Sequence, residues 1–162
     1  MPRQRIYVET TIPSAYYTSR SAPEMVERRD QTREWWSKAM RNYDLVSSPA
    51  VFLELARGTS AHVPARLALV LRLPLLEITP EAIQTAKVYV ERKIMPANPF
   101  EDALHLALAS HHECWALVTW NFRHLANHNK FNQIRRVNTE LGLQVPVITS
   151  PQHLAGESNE QT

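Results

Sequence analysis

The sequence predicts a single three-layer α/β domain, a mostly parallel sheet of about five strands flanked by helices. Short apolar runs alternate with stretches of helical periodicity along the whole chain, which is the pattern of βα units. Several runs are continuously apolar rather than alternating, as in strands covered on both faces. The chain has 162 residues, 44% of them hydrophobic, about one domain's length and enough to bury a sizeable core without metal or disulfide staples.

The first strand falls at 6–8 and the others at 45–46, 75–78, 116–118 and 145–148. Pro146 confines the last to a sheet edge, because proline donates nothing to a ladder. Helical periodicity fills 24–40, 49–57, 64–71, 81–94, 99–111 and about 132–141. Four helix starts carry a capping residue followed by proline: Ser48-Pro49, Thr79-Pro80, Asn98-Pro99 and Ser150-Pro151. Gly58 and Gly142 stand where helix-ending glycines belong. Residues 156–162 read as a disordered polar tail, which leaves 1–155 as the domain.

Composition narrows the function classes. The formal net charge is +2, and arginine far outnumbers lysine. Arginine makes bidentate phosphate contacts, so a nucleic-acid partner is permitted though not required. Cys114 is the single cysteine, so no internal disulfide exists and a reducing, cytoplasmic compartment is expected, with a buried structural thiol. The N-terminus lacks a signal-peptide stretch, and no segment approaches the roughly 18 apolar residues of a membrane helix. With only three glycines, phosphate loops of the Walker or dinucleotide type are absent. No G-x-S-x-G elbow occurs, which disfavours a serine hydrolase. His124 and His128, and the pair His111-His112, have no cysteine or carboxylate at zinc-finger spacing and read as surface histidines.

In open parallel sheets, ligands bind beyond the carboxyl ends of the strands. The residues placed there are Glu9-Thr10-Thr11 after the first strand and Thr119-Trp120-Asn121 after the fourth. Ser47-Ser48 follow the second strand and open a helix with Glu54 in its second turn, and another helix carries Glu101 and Asp102 in its first turn. Each acid also has a plain structural reading. Glu9 can be solvated, Glu54 can pair with Arg57 one turn on, and Glu101 can complete a capping box with Asn98. Asp102 fits such a reading least. It begins the stripe Asp102, His105, Leu106, Ala109 on an apolar helix, and an inward carboxylate is costly unless paired or metal-bound. His105 is placed either to pack or to face the same site. Adjacent tryptophans cannot both face a core from one helix, so one of Trp35 and Trp36 is expected to be partly exposed, as an interface anchor or a half-buried packing group.

IYVETTIPSAYY at the start, SSPAVFLEL near 50, NPFEDALHLALA near 100, LVTWNFRHL near 120 and the closing VPVITSPQHL together resemble the PIN-domain nucleases, in particular the VapC-type toxins of bacterial toxin–antitoxin pairs. The resemblance spans essentially the whole chain. It implies a metal-dependent endoribonuclease that hydrolyses RNA phosphodiesters with magnesium or manganese, cytoplasmic, homodimeric, and inhibited by a small antitoxin. Its four site positions fall on Glu9, Glu54, Asp102 and Asn121, with Glu9 and Asp102 as metal ligands and Thr10 and Thr119 as supporting hydroxyls. Two positions depart from the family's pattern, where aspartate is usual: Glu9 is one methylene longer, and Asn121 is neutral. Arg57, Arg123, Lys130, Arg135 and Arg136 are the candidate RNA contacts, their segments adjoining the site. The alternative is a catalytically weak or silent PIN-like module that binds RNA or protein. A receiver-like or phosphatase domain would need an adjacent acidic pair and a strand-end lysine, which are missing.

Overall fold

Adjacent residues of a strand point to opposite sides of its sheet, and in this chain both sides are apolar. Tyr7 and Leu117 enter one buried cluster, while Ile6, Val8, Ala116 and Val118 enter another. A sheet of that kind needs a helical layer on each face. The computed structural model describes residues 2–154, so the tail 156–162 lies outside them. The strands are β1 (Arg5–Val8), β2 (Asp44–Val46), β3 (Ala116–Val118) and β4 (Val147–Thr149). They form a wholly parallel sheet in the order β2-β1-β3-β4. The helices are α1 (Thr11–Tyr16), α2 (Pro23–Asn42), α3 (Pro49–Ala56), α4 (Val63–Val70), α5 (Pro80–Glu91), α6 (Glu101–His111) and α7 (Phe131–Glu140), with a 3-10 turn at His128–Lys130. The cluster around Tyr7 takes apolar residues from α3, α5, α6 and α7, and that around Ile6 takes them from α1, α2 and α4.

The caps at Ser48 and Thr79 form as expected, with side-chain oxygens accepting from Val51 N at 3.4 Å and Ala82 N at 3.1 Å. Ser150 accepts from His153 N at 3.3 Å and opens a helical turn at 151–154. β4 is an edge strand, as Pro146 requires. Four expectations change. The segment 75–78 is not a strand: it makes one isolated bridge, Leu75 to Ser47, because Pro74 lacks a donor and the chain turns away to reach the Thr79 cap. Helix α1 had no sequence forecast. Asn98 caps nothing, since α6 begins at Glu101 with Phe100 in the cap position and no side-chain cap bond. Glu101 instead pairs with Arg57. Finally, Trp35 and Trp36 are both buried, at 6% and 4% exposure. The α1 aromatics supply the second wall, with Tyr16 edge-on to Trp36 at 6.0 Å and Trp36 edge-on to Trp35 at 6.4 Å.

A candidate metal-binding active site

Parallel strands end side by side, so the residues that follow β1 and β3 meet. Glu9 follows β1 directly and is 2% exposed. Its Oε2 accepts from Thr11 N at 3.1 Å, Thr11 Oγ1 at 2.5 Å and Thr119 Oγ1 at 2.6 Å. Among the described residues no hydrogen bond reaches its Oε1. Thr119 also accepts from Asn121 N at 2.9 Å, which ties the post-β3 turn to the same carboxylate. Burial raises the Glu9 carboxyl above its ordinary value, against the pull of His105 and the two threonine hydroxyls.

His105 forms the second part of the site. It is fully buried on α6, with Nδ1 2.7 Å from the Tyr7 hydroxyl and Nε2 3.2 Å from Glu54 Oε1. Thr10 Oγ1 lies 3.4 Å from Nε2, and the Tyr7 hydroxyl lies 2.7 Å from Ser48 Oγ. A proton on Nε2 satisfies every member in one direction: Ser48 donates to Tyr7, Tyr7 to Nδ1, and Nε2 to Glu54. Burial alone would lower the imidazole, but the Glu54 hydrogen bond and the charges of Glu9, Glu54 and Asp102 outweigh it and hold His105 above its ordinary value. Glu9, Glu54 and His105 offer ligand atoms within 4.8 Å of one another.

Asp102 sits beside this trio in the first turn of α6, 6% exposed. Its Oδ1 accepts from Asn121 Nδ2 at 3.3 Å, and its buried Oδ2 has no partner. Asn121 Oδ1 accepts from His124 N at 3.0 Å. That bond settles the amide's orientation, because His124 N–H requires an oxygen and the carboxylate requires a donor. Asn121 therefore shows the site its NH2 group and keeps its oxygen for the backbone. Burial raises the Asp102 carboxyl as well, opposed by His105 and His124.

Among known families, the PIN-domain model matches residues 6–128. The chain belongs to the PIN-domain family. No curated protein matches it by sequence. Solved structures share the fold of this PIN domain at low identity. VapBC2 from Rickettsia felis, solved bound to a DNA fragment from their promoter, has a TM-score of 0.59 at 13% identity, covering 90% of this chain and 98% of that one. VapC20 of Mycobacterium tuberculosis, a sarcin–ricin loop cleaving toxin, has a TM-score of 0.57 at 16% identity, covering 74% and 92%. FitAcB from Neisseria gonorrhoeae has a TM-score of 0.52 at 13% identity, covering 91% and 99%.

The residues of this PIN domain fit a hard divalent cation. Among the described residues Asp102 Oδ2 is a buried acceptor without a donor and no hydrogen bond reaches Glu9 Oε1, and both carboxyls are raised by burial. Oxygen donors suit magnesium and manganese. His105 is spoken for on both ring nitrogens, so it orients Glu54 rather than competing for the ion.

Arg57 is held by Glu101, while Arg123, Arg135 and Arg136 are exposed on the post-β3 turn and α7. Lys130 sits at the start of α7. His111 and His112 serve structure, bonded to Thr85 Oγ1 and Glu77 O, each at 2.8 Å. Sequence patterns assign Tyr7, Ser48 and Thr11 no role at the carboxylates: Ser48 stood as a helix cap, Thr11 as a strand-end residue and Tyr7 as part of a strand. Thr11 had a visible signal, since a threonine two residues after a strand-end acid can turn back on it once a helix starts there. Tyr7 had none, being one apolar-looking position of a buried strand. Cys114 is buried, with its thiol pushed up to about 12 by desolvation. No described helix is long and apolar enough to cross a membrane.

Proposed function

We propose that this PIN domain is a magnesium- or manganese-dependent endoribonuclease and the toxin of a toxin–antitoxin pair, acting in the cytoplasm as a homodimer restrained by a small antitoxin. One observation carries the reading: the unpartnered, buried Oδ2 of Asp102 beside the carboxylates of Glu9 and Glu54. Glu9, Asp102 and Glu54 would hold the ion, which when bound supplies positive charge and Lewis acidity to a phosphodiester. Glu9 is fixed by its three donors and presents one remaining oxygen. Asn121 donates to Oδ1 of Asp102, which leaves the buried Oδ2 as the oxygen for the ion. Glu54, at 28% the least buried of the three acids, is tethered by His105 through Oε1, and its other oxygen would take a proton from water. The antitoxin is supported by the toxin–antitoxin assemblies among the structures that share this fold.

The deciding experiment incubates the purified protein with a labelled single-stranded RNA, with manganese or with a chelator. Manganese-dependent cleavage that vanishes in Asp102→Asn supports the reading. Cleavage that survives Asp102→Asn, or none at micromolar enzyme, overturns it. The rival reading, a silent binding module, rests on the neutral Asn121 and predicts RNA binding without any cleavage.

A further inference from the structure

The candidate site concentrates negative charge, since Glu54 acts through space on both Glu9 and Asp102. A polyanionic substrate approaching three carboxylates needs cations beside them. The sequence places that role on Arg57, Arg123, Arg135 and Arg136, yet Arg57 is held by Glu101. A cleft of about 330 Å³ is lined by Arg20, Arg28, Arg66, Thr11, Thr18 and Trp120, with no acidic residue among its described lining. None of the three arginines pairs with a carboxylate among the described residues, whereas Arg29, Arg57 and Arg92 do.

The cleft is also built. Arg66 is braced by the carbonyls of Tyr17 and Ser14, with Nη2 2.9 Å from Tyr17 O and 3.4 Å from Ser14 O, and Nε 3.2 Å from Tyr17 O. Its Nη1 makes no hydrogen bond among the described residues. The Arg28 guanidinium carbon lies 5.2 Å from the Trp120 ring centre and 5.7 Å from that of Phe122, a cation–π position that leaves N–H groups free to donate. Thr11 belongs to both places: it lines the cleft and donates to Glu9 Oε2.

We infer that the Arg20–Arg28–Arg66 cleft is the substrate's phosphate subsite, holding a backbone phosphodiester of single-stranded RNA next to the bond to be cut. The inference rests on the nuclease reading for its substrate. Its test reads binding, so the two can fail separately. The protein carries Asp102→Asn, and the probe is a fluorescein-labelled single-stranded RNA of roughly ten nucleotides, within the span such sites cover. Anisotropy gives Kd across a potassium chloride series. Removing two of the three cations, by Arg20→Ala with Arg28→Gln, is expected to weaken binding on the order of tenfold. It should also flatten the dependence of log K on log salt by about 0.7, the share of the one phosphate no longer neutralised. Arg41→Ala with Lys87→Ala, the same charge removed from exposed sites outside the cleft, is expected to change neither quantity. Equal weakening from both pairs, or none from the first, overturns the subsite. Should Arg28→Gln disturb the packing on Trp120, Arg20→Glu alone carries the test: Arg20 is exposed, and its side chain makes no hydrogen bond among the described residues. Several-fold weaker binding is expected from it, and unchanged affinity overturns the inference. Cleavage that persists in the Asp102→Asn background defeats the nuclease reading and leaves the anisotropy result to judge the cleft.

Discussion

A carboxylate sealed from water takes up a proton or finds a cation. Asp102 is such a group: burial raises its carboxyl, Oδ1 is met by Asn121, and among the described residues nothing meets Oδ2. Asp102→Asn should leave the metal-free fold as stable or up to about 1 kcal/mol more stable, since a costly buried charge disappears. The manganese-induced rise in Tm should disappear with it, which differential scanning calorimetry will show. Asn121→Asp runs the other way. It replaces the donor to Asp102 by an acceptor, so the metal-free protein should lose about 1–3 kcal/mol. The added charge should tighten manganese binding several-fold, as read by isothermal titration. Weaker binding in that variant would mean that the amide, and not a fourth carboxylate, is what this site requires.

Helix α3 joins stability to the site, because Ser48 does two things at once. It caps the helix and holds the Tyr7 hydroxyl, from which the chain runs through His105 to Glu54. Ser48→Ala is expected to cost about 1–2 kcal/mol in urea denaturation, and to slow single-turnover cleavage by loosening Glu54. Thr79→Ala removes a cap of the same kind from α5, costing about 1 kcal/mol with cleavage unchanged. If both variants slow cleavage alike, the Tyr7–His105 chain has no separate role. The two caps were readable from the sequence, because a capping side chain followed by proline acts within one turn of backbone. Asn98-Pro99 has the same form and caps nothing, since α6 starts two residues later than the pair implies. Trp35 and Trp36 mislead for the opposite reason. The helical rule assumes one buried face, whereas α2 is covered by the sheet and also by the aromatics of α1.

The whole molecule buries both faces of its sheet, and with them several groups that ionise only in alkali. Desolvation pushes the Cys114 thiol and the Tyr89 phenol each up to about 12, and Tyr7 is raised well above its ordinary value. Their folded pKa values lie above the unfolded ones, so each contributes stability that is fully present below the unfolded value. That contribution is lost as pH rises through the folded value. With unfolded thiols and phenols titrating at about 8.5 and 10, Tm should fall from about pH 9 toward 12, and circular dichroism melts will follow it. Cys114→Ala should lessen the early part of the fall. A flat Tm across that range would mean that these groups reach water in the folded protein.

The layered α/β class, the parallel strands and the proline-marked starts of α3 and α5 were legible in the sequence from local rules of periodicity and capping, while the grouping of Glu9, Glu54, Asp102 and Asn121 came from the family resemblance. Tertiary packing set which atoms meet. It turned Thr11 back onto Glu9, set His105 against Glu54 and left Asp102 Oδ2 alone. It also tied Arg57 to Glu101 and gathered Arg20, Arg28 and Arg66 around one cleft. The physical reason is distance along the chain. Glu9 and Thr119 are brought together by parallel pairing of β1 with β3, and Arg66 reaches Ser14 and Tyr17 by the packing of α4 on α1. No local rule encodes such contacts.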